Sequence, residues 1–177
     1  MATEHFADYE FNCNCGANKI KQDFIPYLEE IYKYLDKTTN GCGAIIVTSG
    51  YRCPDCSVSV GGYRNDAHTC GFAADIIAYH ADKKTPYKSW EVAAVAEKLG
   101  FGGIGIIDEN ACHVDKRDIY PYSNSHWFGN EMTGEYYTTF AEFLPPIVSR
   151  ETSKRKVKIA VEIDGKRVDE RSYEVDV

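Results

Sequence analysis

The sequence lacks three features that would place the protein in other classes. Acidic residues outnumber basic ones by 27 to 20 and the formal net charge is −7, which argues against nucleic acid as a partner because a phosphate backbone binds a basic surface. No apolar run approaches the ~18 residues of a membrane helix, so no membrane partner is expected. Residues 1–6 contain no basic segment followed by an apolar one, so no signal peptide is expected and the protein is expected to be made in a cytoplasm.

Cysteine, by contrast, is abundant, with seven residues in 177. An odd number leaves at least one thiol unpaired if the others form disulfides. Cytosolic thiols stay reduced, so in the absence of a signal peptide disulfides are not the default expectation.

The hydrophobic pattern predicts an α+β domain over residues 1–147, with an antiparallel sheet flanked by helices. Apolar residues recur at helical spacing over residues 19–37 and 89–99, and Pro26 either kinks the first helix or marks its first turn. Residues 53–66 and 120–130 are predicted as loops and residues 135–144 as a last helix. Strands are predicted at 44–48, 72–79, 102–107 and 111–115.

Residues 148–177 differ in composition and predict a β-hairpin appended to the domain, with Asp164–Gly165 as its turn. An isolated hairpin is only marginally stable in water. We therefore expect it to pair with the main sheet, with a second copy of the chain, or with a further module.

Two histidines and an aspartate form the chemically most informative pattern. His68 and Asp75 lie close together in the sequence, and His113 follows after a long gap. Two imidazoles and one carboxylate suit a catalytic zinc, which keeps a fourth position for water. An aspartate in the apolar run around Asp75 is costly to bury unless it is paired or binds a metal.

Several further segments extend this pattern into a family resemblance. They are residues 49–54, 60–62, 68–75, 102–105 and 113–115, with Trp127. In this order they resemble the zinc D-Ala-D-Ala carboxypeptidase and L-alanyl-D-glutamate endopeptidase family of the hedgehog/DD-peptidase superfamily, over roughly residues 6 to 145. The resemblance implies a hedgehog/DD-peptidase-like fold, one catalytic zinc held by His68, Asp75 and His113, and hydrolysis of peptidoglycan stem peptides at bonds that involve D-amino acids.

The general base is the main departure from the family. Many relatives carry Glu or Asp three residues before the last zinc histidine, where this chain has Asn110. Asp115 is the replacement candidate, because strand alternation places it on the side of His113. Its alternative role is to orient a ligand or to pair with Arg117. His126 could assist, because relatives often place a polar residue beside the Trp127 equivalent.

Four residues are candidates for contacts with the substrate. Arg52 occupies the position of a family arginine, which could grip a carboxylate or stabilise an oxyanion; its alternative is a surface salt bridge. Tyr51 is its neighbour. Trp127 could form a cleft wall or simply pack in the core. Asp66 stands where many relatives have a substrate-contacting serine, which leaves the exact substrate open.

The cysteines leave open whether the chain has a second, structural metal site. Two pairs could form a structural zinc site or a disulfide: Cys13, Cys15, Cys53 and Cys56. The spacing of the second pair suits zinc, whereas one residue between the first two is tight. Cys70 and Cys112 are expected to be packed thiols rather than ligands.

Three functions remain open at this stage. The first is a zinc peptidase of peptidoglycan that reaches the cell wall after release, as phage lysins do. The second is a zinc-containing binding module for cell-wall peptides that has lost its base, favoured by Asn110 and Asp66. The third is a structural phage component that self-associates through the hairpin.

Overall fold

A computed structural model describes residues 3–38, 41–119, 126–143, 155–163 and 166–175. The chain divides into two compact units, Met1–Phe143 and Leu144–Val177. The first unit carries every candidate site residue.

The first unit contains five α-helices, one short 3-10 helix (Asp8–Phe11) and six strands within its described residues. The helices are α1 (Ile25–Thr38), α2 (Pro54–Ser59), α3 (Ala67–Cys70), α4 (Ser89–Lys98) and α5 (Phe140–Phe143). The strands are β1 (Cys42–Ser49), β2 (Ala73–His80), β3 (Gly103–Ile106), β4 (Ala111–Asp115), β5 (Trp127–Asn130) and β6 (Glu135–Tyr137). The α+β class predicted from the sequence is confirmed.

The sheet is mixed, which corrects the prediction of an antiparallel one. Its strand order is β1-β2-β4-β3-β5-β6, and β3 pairs with β5 in parallel while the other neighbours are antiparallel. Strand β4 runs back beside β3, and the chain then returns on the other side of β3. Strand β5 therefore runs in the same direction as β3.

Helix α1 covers the sheet with the apolar stripe predicted from its periodicity. Phe24, Leu28, Ile31 and Leu35 are fully buried, and the helix contacts β1 and α4. Pro26 lies in the first turn rather than inside the helix, where its missing N–H has no intrahelical acceptor to lose. The predicted start at residue 19 is therefore six residues too early.

Three segments differ from their predictions. The sequence predicts a loop over residues 53–66, but this segment includes α2, because Pro54 stands at a first helical position and the Cys53 sulfur at the N-cap accepts the Cys56 N–H. Residues 127–130 form β5 instead of a loop. Of the helix predicted over residues 135–144, only α5 (Phe140–Phe143) is helical. Residues 135–137 form β6 instead, because the left-handed turn at Gly134 (φ +71°) returns the chain against β5.

The second unit contains two antiparallel strands, β7 (Arg155–Ile163) and β8 (Lys166–Val175), as the alternating pattern predicts. Their predicted turn, Asp164–Gly165, lies outside the described residues. Across the described parts of the chain, no helix combines the length and apolarity needed to cross a membrane.

Candidate metal centre

The register of β2 and β4 brings two of the three predicted ligands together. Asp75 lies directly opposite His113 in this antiparallel pair, and Ala73 lies opposite Asp115. Side chains of directly opposed residues point to the same face of a sheet and lie close together. Thirty-eight residues of sequence therefore separate two groups that the hydrogen-bond ladder makes neighbours.

The third ligand, His68, is placed by a short helix with defined ends. Asp66 caps the start of α3, since its carboxylate accepts from the Thr69 N–H at 2.8 Å. Gly71 ends the helix in the left-handed region (φ +82°), where a Cβ would approach the Lys19 carbonyl oxygen at 2.2 Å. The run from Asp66 to Gly71 is thus a complete one-turn helix whose side chain at 68 is buried.

The three candidate ligand atoms converge on one point. Nε2 of His68 lies 3.1 Å from Nδ1 of His113 and 3.3 Å from Oδ1 of Asp75. The distance between His113 Nδ1 and Asp75 Oδ1 is 2.8 Å. Tetrahedral zinc with N and O ligands at ~2.0 Å requires ligand atoms ~3.3 Å apart, so this triangle is close to one face of such a tetrahedron. The three residues therefore fit a zinc ion with a fourth position left for water.

Both histidines have a second hydrogen bond that fixes their orientation. Nδ1 of His68 donates to the carbonyl oxygen of Gly50 at 2.8 Å, which leaves Nε2 as the nitrogen with a free lone pair. Nε2 of His113 faces Oδ2 of Asp115 at 3.1 Å, which leaves Nδ1 toward the metal position. Ligand histidines in metal sites characteristically donate their other N–H to a carbonyl or carboxylate in this way.

Both carboxylate oxygens of Asp115 have hydrogen-bond partners. Its carboxylate is completely buried and binds the Arg117 side chain through both oxygens, with a shortest distance of 2.6 Å. It also accepts the backbone N–H of Arg117 at 2.9 Å. Of the two roles left open for Asp115, these contacts are those of a group that orients His113.

The charges of the site shift the pKa values of its members strongly. Burial alone would raise the pKa of Asp75, but His68 and His113 outweigh it and hold that pKa well below its usual range. Burial would lower the pKa of His113, but Asp115 and Asp75 raise it to about 9. Because a metal ion needs the unprotonated imidazole nitrogen, zinc binding at this centre competes with protonation of His113.

Glycines on β3 and β5 make room for the side chains of the site, because a glycine has no Cβ. On β3, Gly103 lies opposite Asp115 and Gly105 lies opposite His113. A Cβ at Gly103 would meet the Asp115 carboxylate at 2.1 Å, and one at Gly129 would meet the Trp127 ring at 2.4 Å. The Gly-Gly-Ile-Gly run thus serves close side-chain approach across the sheet.

One cleft, the Arg52 cleft, opens on the Asp75 side of the centre. It has a volume of about 410 Å³ and is lined by residues that include Thr48, Ser49, Tyr51, Arg52 and Asp75. Nη2 of Arg52 lies 3.3 Å from Oδ2 of Asp75, and its Nε–H is buried without a hydrogen-bond partner among the described residues. Arg52 is therefore a cleft residue beside the metal group and not part of a surface salt bridge. Tyr51 is buried.

A second cleft, the Trp127 cleft, opens on the His113 side. Its volume is about 520 Å³, and its lining comprises Tyr63, Asp66, Ala67, His113, Arg117, Trp127 and Tyr136. The Trp127 ring stands edge-on to His113 at a centroid distance of 5.7 Å and lies under the Arg117 guanidinium at 5.3 Å. Trp127 is thus a cleft wall. Asp66 lines the same cleft, although its oxygens also accept from Ser57 and Thr69.

His126 is the one predicted site residue that the structure does not bring to this centre. Its side chain is exposed, and its ring stands edge-on to Phe128 at 5.9 Å. Alternation along β5 puts Phe128 on the face opposite to Trp127. Asn110, at the proposed position of a family base, lies in the turn before β4, where its N–H bonds to Asp108.

Sequence reasoning missed several contributors to the site. The Gly50 carbonyl that holds His68 has no signature in a sequence, because any residue carries a carbonyl. Tyr63 and Tyr136 come from separate segments that only the tertiary structure joins. The sequence predicts Arg117 as a possible partner of Asp115, and the structure confirms this ion pair, but the position of the guanidinium over the Trp127 ring has no local signature.

A second group of possible metal ligands lies at the edge of the Arg52 cleft. It consists of four free thiols whose sulfur atoms lie within 4.8 Å of one another: Cys13, Cys15, Cys53 and Cys56. These are the two pairs singled out from the sequence. Cys70 and Cys112 belong to neither ligand group of the described residues.

The profile of the family Peptidase M15 matches residues 4–115. The chain belongs to the Peptidase M15 family. The match ends at Asp115 and so includes His68, Asp75 and His113, and it confirms the resemblance at the level of this zinc-dependent peptidase family. A comparison with curated proteins gives no match.

Proposed function

We propose that the protein is a zinc-dependent peptidase that hydrolyses peptidoglycan stem peptides at bonds involving D-amino acids, as a carboxypeptidase or an endolysin-type endopeptidase. The observation that carries the proposal is the convergence of His68, Asp75 and His113 at the meeting point of two clefts in a Peptidase M15 chain. A zinc ion held there would lower the pKa of a water molecule and polarise the scissile carbonyl.

Residues of the two clefts would bind different parts of the substrate. Arg52 presents a buried, unpartnered N–H beside Asp75, which suits a substrate carboxylate or a developing oxyanion. Trp127 and Tyr136 offer aromatic walls on the other side, with ring centroids 5.8 Å apart. A peptide lying across the centre would thus have its polar end at Arg52 and an apolar portion at Trp127.

Asp115 would support this chemistry through His113. A carboxylate that accepts an N–H from a ligand histidine fixes the ring and raises its basicity. Since both Asp115 oxygens are occupied by Arg117 and His113, the carboxylate is a positioning group in this proposal. Burial would raise the pKa of Asp115, but His113 and Arg117 hold it well below its usual range, which makes it a poor acceptor for a proton from water.

A second candidate function is favoured by the contacts that occupy both oxygens of Asp115. If Asp115 only orients His113 and Asn110 replaces the family carboxylate, the domain is a zinc-containing module that binds cell-wall peptides without cutting them. The two candidates share the metal and the clefts and differ in the transfer of a proton to the leaving amine.

We further propose that the protein acts on the cell wall after release from the cell in which it is made, as a phage lysin does. Self-association through the β7–β8 hairpin would be compatible with either candidate. Its support is the paired strands of the second unit, since a two-stranded sheet gains stability from further strands.

Release of new amino termini from purified peptidoglycan tests the main proposal. The protein is stripped with a chelator, reloaded with zinc and compared with Asp75→Asn, which alters the ligand group. Asp82→Asn is the matched control, because Asp82 lies in an exposed turn beyond the other end of β2.

Cleavage that depends on zinc, is lost in Asp75→Asn and is kept in Asp82→Asn supports the peptidase. Binding of wall fragments without cleavage supports the binding module. A protein that neither cleaves nor binds these fragments contradicts both candidates.

A further inference from the structure

The four-thiol group joins two segments that are far apart in sequence. Cys13 and Cys15 lie in the N-terminal segment, and Cys53 and Cys56 lie at the start of α2. The Cys53 N–H is directed at the Cys13 sulfur at 3.3 Å across a separation of 40 residues. The Cys56 N–H is directed at the Cys53 sulfur at 3.4 Å.

Each pair is shaped by its own local structure. In the first, a tight turn closes with the Gly16 N–H donating to the Cys13 carbonyl at 2.7 Å, and Gly16 is left-handed with φ +85°. Both thiols of this Cys-x-Cys pair belong to the four-sulfur group, although a single residue separates them. In the second, one turn of α2 brings the Cys56 thiol beside that of its N-cap, Cys53.

The arrangement matches closed tetrahedral ligation better than disulfide formation. Zinc bound to four sulfurs at ~2.3 Å places those sulfurs ~3.8 Å apart, and the four thiols lie within 4.8 Å of one another. A disulfide requires only pairwise proximity and gives no reason for all four sulfurs to converge. The two N–H groups directed at sulfur would stabilise the thiolate charge.

We propose that these four cysteines bind a structural zinc ion, separate from the His68 centre, which clamps the N-terminal segment onto the segment that supports the active site. Zinc binding releases the thiol protons to solvent and needs no oxidant or reductant. Four protein ligands close the coordination sphere, so this ion has no position for substrate.

The clamped segment, residues 50–53, contacts the catalytic group directly. The Gly50 carbonyl accepts from His68, and Arg52 contacts Asp75. The same segment lies against the N-terminal one, since the Tyr51 N–H donates to the Phe11 carbonyl at 2.9 Å. A Cβ at Gly50 would meet the Phe11 Cα at 2.5 Å. The structural ion would therefore hold the carbonyl that orients His68.

Metal analysis of the full chain purified under reducing conditions tests this proposal without reference to activity. The expected content is about two zinc ions per chain, falling to about one in Cys15→Ser and also to about one in His68→Ala. Cys15 is chosen because its side chain is exposed, so the substitution leaves the core intact. Cys70→Ser, a thiol outside the group, should keep both ions.

Cobalt substitution gives a second, spectroscopic readout of the thiol group. Four thiolates on cobalt produce a strong sulfur-to-metal charge-transfer absorption in the near ultraviolet, whereas a His-Asp-His site produces none. The band should persist in His68→Ala and weaken severely in Cys15→Ser.

Two results would overturn the proposal. One is a wild-type chain whose only metal disappears in His68→Ala and whose cobalt form lacks the charge-transfer band. The other is a non-reduced peptide map that shows Cys53 and Cys56 joined as a disulfide after purification with reductant removed and zinc present. Failure of the peptidase proposal alone would leave the thiol-bound ion in place.

Discussion

The two ligand groups of this protein differ in the structure that supports them. The His68 group combines neighbouring strands of the central sheet with a capped helix, and each histidine has a further hydrogen-bond partner. The thiol group combines a tight turn with the start of a short helix, and two of its sulfurs, those of Cys13 and Cys53, accept backbone N–H groups. A three-ligand group on two strands and a capped helix suits chemistry, whereas a four-thiol group that joins two segments distant in sequence suits cross-linking.

The two ions would also stabilise different parts of the protein. The strands carrying Asp75 and His113 are already fixed by the backbone ladder, so loss of that metal should change chemistry more than folding. The N-terminal segment has no strand in the sheet within the described residues. Loss of a thiol-bound ion should therefore loosen this segment first.

The largest expected effect comes from His113→Ala. Removing a ligand from the three-residue group should take about one zinc per chain with it, and cleavage should fall to the level of the chelated protein. Zinc content and release of amino termini are measured together. His126→Ala should keep its full zinc content, because its ring lies against Phe128; loss of zinc in that variant would contradict the assignment of ligands.

The next effect distinguishes the two roles of Asp115. If the carboxylate positions His113, Asp115→Asn should weaken zinc affinity by roughly 10- to 100-fold. If it is the base, the turnover number should fall while zinc affinity stays unchanged. Competition with a chromogenic chelator measures the affinity, and Asp118→Asn, a partly exposed neighbour, is the control that should leave it unaltered.

A smaller effect is expected from filling the space beneath Trp127. Gly129→Ala places a methyl group 2.4 Å from the ring and should lower the free energy of unfolding by about 1–3 kcal/mol. Urea denaturation measures this change. In a Trp127→Leu background the penalty should shrink, because the clashing ring is gone; an undiminished penalty would assign the cost to the strand backbone instead.

The smallest effect concerns Glu29, which attaches the N-terminal segment to helix α1. Glu29 is buried and accepts from the His5 backbone and ring at 2.9 and 2.8 Å. Burial raises the pKa of Glu29, but the polar neighbours Thr3 and His5 outweigh it and the net pKa is lowered. A carboxyl with a lowered pKa stabilises the fold above its unfolded pKa, and this contribution is lost as pH falls through the folded value.

Glu29→Gln should therefore cost about 1 kcal/mol at neutral pH, and the difference from wild type should diminish below about pH 4. Unfolding free energies measured at both pH values check this sign. A difference that grows on acidification would contradict it. Glu30→Gln is the matched control, because the side chain of Glu30 is 55% exposed.

Local patterns in the sequence account for the parts of the fold that depend on local chemistry. The apolar stripe of α1, the strands around Asp75 and His113 and the hairpin pattern of the tail follow from periodicity and turn residues. The predictions failed where distant pairing decided. The parallel placement of β5 beside β3 and the strand at Glu135–Tyr137 depend on partners that no local window contains.

In the candidate site too, some features follow from the sequence and others only from the tertiary structure. The residue types and spacing of His68, Asp75 and His113 determined the chemistry that the protein can perform, because donor atoms are properties of side chains. The tertiary structure alone decided that Asp115 faces His113, that the Gly50 carbonyl holds His68 and that His126 lies apart. These relations are set by strand register and loop closure, which depend on the packing of the whole chain.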